Sequence, residues 1–156
     1  MEANSSQLGF VLHDVARLLR KRFEQHARNL DLTRSQWQVL TQLARNEGIR
    51  QSALAELLEI EPITLSRSVG RLEALGVVER RPHPSDRRVW LLHLAPAARP
   101  KLAEVHAVGD ITRGEALAGV SEADRVHLLN TLQILKTNLT AVCDAPVAKQ
   151  EGAGSA

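Results

Sequence analysis

Residues 51–94 read QSALAELLEIEPITLSRSVGRLEALGVVERRPHPSDRRVWLLHL, and this stretch decides the fold. Ser52 to Leu58 is short, apolar-spaced and rich in helix formers, and it runs through Glu59-Ile60-Glu61 to Pro62, a residue suited to the first position of a new helix. From Pro62 to about Leu75, residues Leu65, Val69 and Leu72 recur at i, i+4 and i+7, and Gly76 supplies the stop. The opposite face carries Ile63, Thr64, Ser66, Arg67, Gly70 and Arg71. Two short helices joined by about four residues form a helix-turn-helix. Val77 to Arg81, then Pro82-His83-Pro84-Ser85-Asp86, then Arg87 to Leu94 predict a strand, a turn-rich loop and a strand. The expected result is a β-hairpin with arginines at its tip.

Outward from this segment the pattern is helical. Leu8, Leu12, Val15, Leu19, Phe23 and Ala27 form one apolar stripe on a long first helix, with Arg17, Arg20, Lys21 and Arg22 crowding its middle. Thr33 and Gln36 form a capping box for a second helix, Leu32 can staple against Trp37, and that helix turns Trp37, Leu40 and Leu43 inward and stops near Gly48. Pro96 can open a further helix, which Pro100 bends or delays. Ser121 caps a last one, whose Leu128, Leu132, Leu135, Leu139 and Val142 make a short coiled-coil-like seam. The tail after Cys143 has no period and predicts disorder.

The chain has 156 residues, 44% of them apolar, enough for one domain with a real core. No run approaches the roughly 18 to 20 apolar residues of a membrane span. The N-terminus MEANSSQLGF lacks a basic segment followed by an apolar one, so a cytoplasmic location is expected. A single cysteine, Cys143, excludes an intramolecular disulfide and a zinc site built on paired cysteines. An aromatic content of 3% argues against stacking of single-stranded bases.

A net charge of +2 identifies no partner by itself, but its distribution is uneven: Glu61 to His93 holds six arginines against four acids, while the remainder balances. All basic residues of that segment are Arg, suited to bidentate base and phosphate contacts and to narrow grooves. Thr64 and Ser66 offer short hydroxyls, Arg67 a two-donor fork for guanine, and Gly70 a close backbone approach. The bland alternative is that Arg67 and Arg71 pair with Glu73 on a solvated helix.

The order of elements and the residues LTRSQW, LAELLEIEPITLSRSVGRLEALGVVERR, SDRRVWLLHLA, ARPKLAEV and TRGEALAGVSEAD resemble the MarR family of winged helix-turn-helix regulators, within it the SlyA-like branch, over roughly Leu8 to Val142. Asp86-Arg87-Arg88 followed by an alternating strand is its most specific piece. The resemblance implies a mainly α fold with a small β-hairpin wing. Residues 1–32 and 96–143 would form a helical dimerisation region, 33–95 the DNA-binding lobe and 144–156 a disordered tail. It also implies a homodimer on a pseudo-palindromic duplex operator, acting as repressor or as anti-silencing activator. Carried over by position, Pro62, Thr64, Ser66, Arg67 and Arg71 are recognition-helix contacts, and Gln51 and Ser52 are backbone contacts. Arg87 and Arg88 are the wing-tip pair, one entering the minor groove and the other held by Asp86. The position of Glu59 is commonly Gly in this family, a substitution costing about 1 kcal/mol if the backbone is left-handed there.

The first helix and the last two carry more apolar surface than one subunit covers, which agrees with dimerisation. Relatives release DNA when a small aromatic acid enters a pocket. Here Trp37 would be its apolar wall, Arg17 and Arg20 the carboxylate partners, and His13 or Thr41 hydrogen-bonding groups. No resident cofactor or metal site is expected. The six histidines are scattered, and no catalytic motif is visible, so an enzyme is not expected. The rival readings are a winged-helix interaction module that has lost DNA binding and a thiol-responsive regulator using Cys143.

Overall fold

The computed structural model describes residues 7–143, in two compact units: 7–116 and 117–143 are the described parts of units spanning 1–116 and 117–156. The expectation of disorder after Cys143 concerns residues outside the described range.

The first unit runs α1 (Leu8–His26), one turn of 3₁₀ helix (Ala27–Asn29), α2 (Arg34–Arg45), α3 (Gln51–Leu57), α4 (Pro62–Ala74), an antiparallel hairpin of β1 (Val78–His83) and β2 (Asp86–Leu94), and α5 (Ala98–Ala116). This is a mainly helical winged helix-turn-helix. The capping box forms at α2, where the Thr33 N–H donates to Gln36 Oε1 at 2.7 Å. Val39, Leu40 and Leu43 of α2, Leu54 of α3, Leu65, Val69 and Leu72 of α4 and Leu92 of β2 are fully buried together. The periodic positions of α4 thus lock this helix onto the core and leave its other face outward.

Both ends of the helix-turn-helix use the same cap. After α4, the Gly76 N–H donates to Glu73 O and the Val77 N–H to Leu72 O, with Gly76 at φ +70°. After α3, Glu59 N–H donates to Glu56 O and Ile60 N–H to Ala55 O, the same Schellman pattern, but the left-handed residue is Glu59 at φ +52°. A Cβ there is strained. Glu59→Gly is therefore expected to raise stability by about 1 kcal/mol, measured as a higher thermal midpoint; an unchanged or lower midpoint contradicts the strain.

The wing differs from the expected five-residue loop. β1 continues through Pro82 and His83, leaving only Pro84 and Ser85 between the strands. Pro82 pairs with Trp90 whereas His83 pairs with Asp86, so Arg87, Arg88 and Val89 have no partner on β1 and bulge from the ladder. Pro82 has no N–H to give the ladder, which favours an irregularity at this point. The base of β2 is fixed by Gly48 N–H to Leu92 O (2.8 Å) and Leu92 N–H to Ile49 O (2.9 Å).

Pro100 does not delay α5: it lies in the first turn, where its missing N–H has no helical partner to lose. The far end of α5 is tied to α1. Arg22 donates from Nε and Nη2 to the Glu115 carboxylate at 2.6 and 2.7 Å, and His26 Nε2 lies 3.0 Å from Glu115 Oε2. The hydrogen bond from Arg22, then that from His26, pulls the Glu115 carboxyl down to about 2. A depressed carboxyl stabilises the fold above its ordinary value, 4.5, and ceases to as pH falls through about 2. Glu115→Gln is thus expected to melt below wild type at neutral pH, with the gap closing across that acid window in a pH series; a gap independent of pH contradicts it.

The second unit has a turn at Leu117–Gly119 and α6 (Glu122–Cys143). Ser121 Oγ accepts the Asp124 N–H at 3.2 Å, as expected of its cap, and Arg125 donates to the carbonyls of Val120 and Leu117, both at 3.0 Å. Leu128, Leu139 and Val142 of the seam are exposed, as are Phe10, Val11, Val15 and Leu18 of α1.

Candidate nucleic-acid interface

Helix α4 presents Pro62, Ile63, Thr64, Arg67 and Arg71 to solvent, with Ser66 and Gly70 half-buried between them. Arg67 and Arg71 make no ion pair among the described residues, and Glu73, their supposed partner, is engaged elsewhere. Their donors are therefore open toward whatever approaches α4.

Glu73 belongs to Arg80, which sequence reading passed over. The Arg80 guanidinium pairs with Glu73 and donates to Gln51 Oε1 (2.8 Å), Ser66 O (3.0 Å) and Ser66 Oγ (3.3 Å), while its backbone N–H reaches Glu73 Oε1 at 3.1 Å. One half-buried side chain on β1 thereby joins the start of α3 to both halves of α4. The available signal was the run Glu79-Arg80-Arg81: on an alternating strand, successive arginines face opposite sides, and only one can be solvated.

Gln51, Ser52 and Pro62 line a groove with Arg88, Val89 and Trp90. Four of these were expected at the interface, and the fold brings them together from α3, α4 and the wing. Asp86 holds Arg88: its Oδ1 accepts the Arg88 backbone N–H at 3.0 Å and Nε at 3.2 Å, which lowers the Asp86 carboxyl below its ordinary range. The Arg88 side chain is nevertheless 91% exposed, so it is braced and projecting at once. Arg87 is exposed and has no ion pair among the described residues. Trp90, 43% exposed, was missed as a groove residue because an alternating strand does not show which face a bulge will turn out.

A separate cavity of about 640 Å³ opens between α1, α2 and α5 of the same unit. Trp37 packs on Phe23 with ring centroids 4.4 Å apart and forms part of its wall, and Arg20 and Thr41 also line it. Two of the expected residues do not line the cavity: His13 lies about two turns and Arg17 about one turn before Arg20 on α1, and Arg17 pairs with Asp14 at 3.1 Å. Thr41 donates its hydroxyl to Trp37 O at 2.7 Å and so offers the cavity an acceptor. Arg45, His106 and Arg113 supply polar groups that sequence spacing did not reveal. Among the described residues, no cluster of three or more His, Cys, Asp or Glu side chains could hold a metal, and no helix is long and apolar enough to cross a membrane. Cys143 is exposed at the end of α6.

A buried helix-turn-helix carrying an open arginine face beside an arginine-tipped hairpin defines a winged helix-turn-helix protein. Residues 30–89, the span from the approach to α2 through the wing tip, match the sequence model of the MarR family. The chain is similar in structure to the transcriptional regulator PA3341 (TM-score 0.73, 29% identity, covering 86% of this chain and 98% of that one). It is also similar to apo wild-type MarR from E. coli (TM-score 0.71, 25% identity, 82% and 95%). Bordetella bronchiseptica BpsR, whose DNA binding is regulated by 6-hydroxynicotinic acid, shares the fold (TM-score 0.67, 23% identity, 83% and 98%).

Proposed function

We propose that this protein is a homodimeric, sequence-specific, double-stranded DNA-binding transcriptional regulator of the SlyA-like type, a repressor or an anti-silencing activator, whose DNA binding is weakened by a small aromatic carboxylate. The observation that carries the reading is that Arg67 and Arg71 on the outward face of α4 have no ion pair among the described residues and lie on the same lobe as the Asp86-braced, projecting Arg88. In this reading α4 lies in the major groove, with Pro62, Thr64, Ser66, Arg67 and Arg71 at bases and phosphates, and Gln51 and Ser52 on the backbone. Arg88 enters the flanking minor groove, because the side chain that is already ordered loses least freedom on binding. Arg87 contacts the adjacent phosphates.

The apolar side chains exposed on α1 and on α6 support burial against a second copy. Two recognition helices about 34 to 36 Å apart would then read a palindrome. For the effector, support comes from a mostly apolar cavity with an aromatic wall and the cations Arg20 and Arg45, neither ion-paired among the described residues, and from the acid that regulates BpsR.

The test is binding to mixed genomic duplex fragments across a salt series, with sequencing of what is retained. Enrichment of a palindromic site, with affinity falling steeply as salt rises, supports the reading. Weak binding with no enriched sequence overturns it in favour of an interaction module.

A further inference from the structure

Arg80 holds the two DNA-facing side chains Gln51 and Ser66 by their acceptors. A guanidinium has five donors and no acceptor, so the Gln51 atom 2.8 Å from Arg80 Nε is the amide oxygen, and the amide NH₂ points away from Arg80. Ser66 accepts from Arg80 Nη2 at its hydroxyl oxygen and at its carbonyl, which leaves the hydroxyl hydrogen free to turn outward. Glu73 holds the guanidinium at its third nitrogen, Nη1, which leaves Nε to Gln51 and Nη2 to Ser66 at the same time.

We infer that Arg80 is a positioning residue that sets the hydrogen-bonding polarity of the interface, turning the Gln51 NH₂ and the Ser66 hydroxyl hydrogen toward DNA. Without it, a glutamine amide rotates and offers oxygen or NH₂ with equal ease, and a serine hydroxyl donates or accepts. With it, the pair matches phosphate oxygens and the base acceptors guanine N7 and O6, adenine N7 and thymine O4, and is mismatched to the amino groups of adenine and cytosine. Arg80 itself is half-buried behind these residues and acts through them. The inference rests on the DNA-binding reading above and adds to it a rule about which groups the two residues recognise.

The test uses the full chain and the duplex that the wild-type protein enriches. Arg80→Lys keeps the charge beside Glu73 but loses the fork. It is expected to retain wild-type helicity by circular dichroism, to bind at least tenfold more weakly, and to keep the wild-type salt slope, since the groups it disorients are neutral and no cationic phosphate contact is removed. In a Gln51→Ala/Ser66→Ala background, Arg80→Lys should cost less than about threefold, because the groups it orients are gone. An equal penalty in both backgrounds overturns the inference and makes Arg80 a general support of the lobe.

Two readouts stand apart from the folding of that variant. Gln51→Glu keeps an acceptor for Arg80 and deletes the NH₂ donor; it should lose tenfold or more in affinity, and wild-type affinity overturns the donor assignment. On free protein, the Gln51 side-chain amide resonances should move in Arg80→Lys. If wild type enriches no duplex, the function reading falls, while an unmoved Gln51 amide still overturns the Arg80 assignment by itself.

Discussion

Replacing Arg88 by alanine is expected to weaken binding to the enriched duplex by about 10- to 100-fold, about 1.4 to 2.7 kcal/mol, while changing stability by less than about 0.5 kcal/mol. The stability side follows from exposure: at 91% exposed, the side chain supports no packing, and its pair with Asp86 is of the solvent-screened kind that contributes little to folding. The binding side follows from order. An arginine free in solvent has to give up much of its rotamer freedom on entering a narrow groove, whereas Asp86 already fixes the backbone and Nε of Arg88. Asp86→Asn should consequently weaken binding less than Arg88→Ala, and Arg87→Ala less again, by about two- to threefold, because a lone phosphate contact is worth less than a groove insertion. Fluorescence anisotropy on a labelled duplex, paired with thermal melts, gives both quantities. A larger loss for Arg87→Ala than for Arg88→Ala would show that bracing by Asp86 keeps Arg88 out of the groove.

Removal of Arg20 and Arg45, the two cavity arginines without an ion pair among the described residues, should abolish the response to an aromatic acid. With salicylate as the probe, wild-type protein is expected to lose duplex affinity by about 5- to 150-fold at saturation, the usual range of coupling between two sites, and to melt at higher temperature as ligand is added. Arg20→Ala/Arg45→Ala should show neither change, and without salicylate its duplex affinity should be that of wild type. Both arginines are exposed at the cavity rim, so their loss leaves the core intact. Trp37 provides an internal reporter: its ring packs on Phe23 in the cavity wall, and bound acid should alter its fluorescence in wild type and not in the double variant. His13→Ala should respond as wild type does, since that residue does not line the cavity. If salicylate leaves wild-type affinity, melting and fluorescence all unchanged, the cavity is not a site for this class of acid.

The recognition helix was readable because its causes are local and periodic. Leu65, Val69 and Leu72 at i, i+4, i+7 force one face inward, Pro62 starts the helix, Gly76 ends it, and the arginines have only the other face left. The left-handed turn at Glu59 was anticipated by resemblance alone, for nothing in a glutamate predicts a positive φ. The wing was legible as a hairpin and misread at its tip: Pro82-His83-Pro84-Ser85 has the composition of a loop, yet most of it continues the strand, and the irregularity moves to the facing Arg87-Arg88-Val89. Trp37, Arg20 and Thr41 were anticipated in the cavity through the family resemblance, whereas Arg45, His106 and Arg113 come from three separated places on α2 and α5 that no spacing connects.

By itself the sequence determined the helix-turn-helix, the hairpin and the apolar faces of α2 and α4, because periodicity and capping act over a few neighbouring residues. Tertiary structure alone decided which charges are spent on one another. Arg80 and Arg81 are identical in the sequence, but the fold ties the first to Glu73, Gln51 and Ser66 and leaves the second to Glu79 on the surface. Arg71 is left open for the same reason: Glu73, the acid nearest to it in sequence, is held by a strand residue seven positions on, at a distance set by how β1 packs against α4 and by nothing written in either segment.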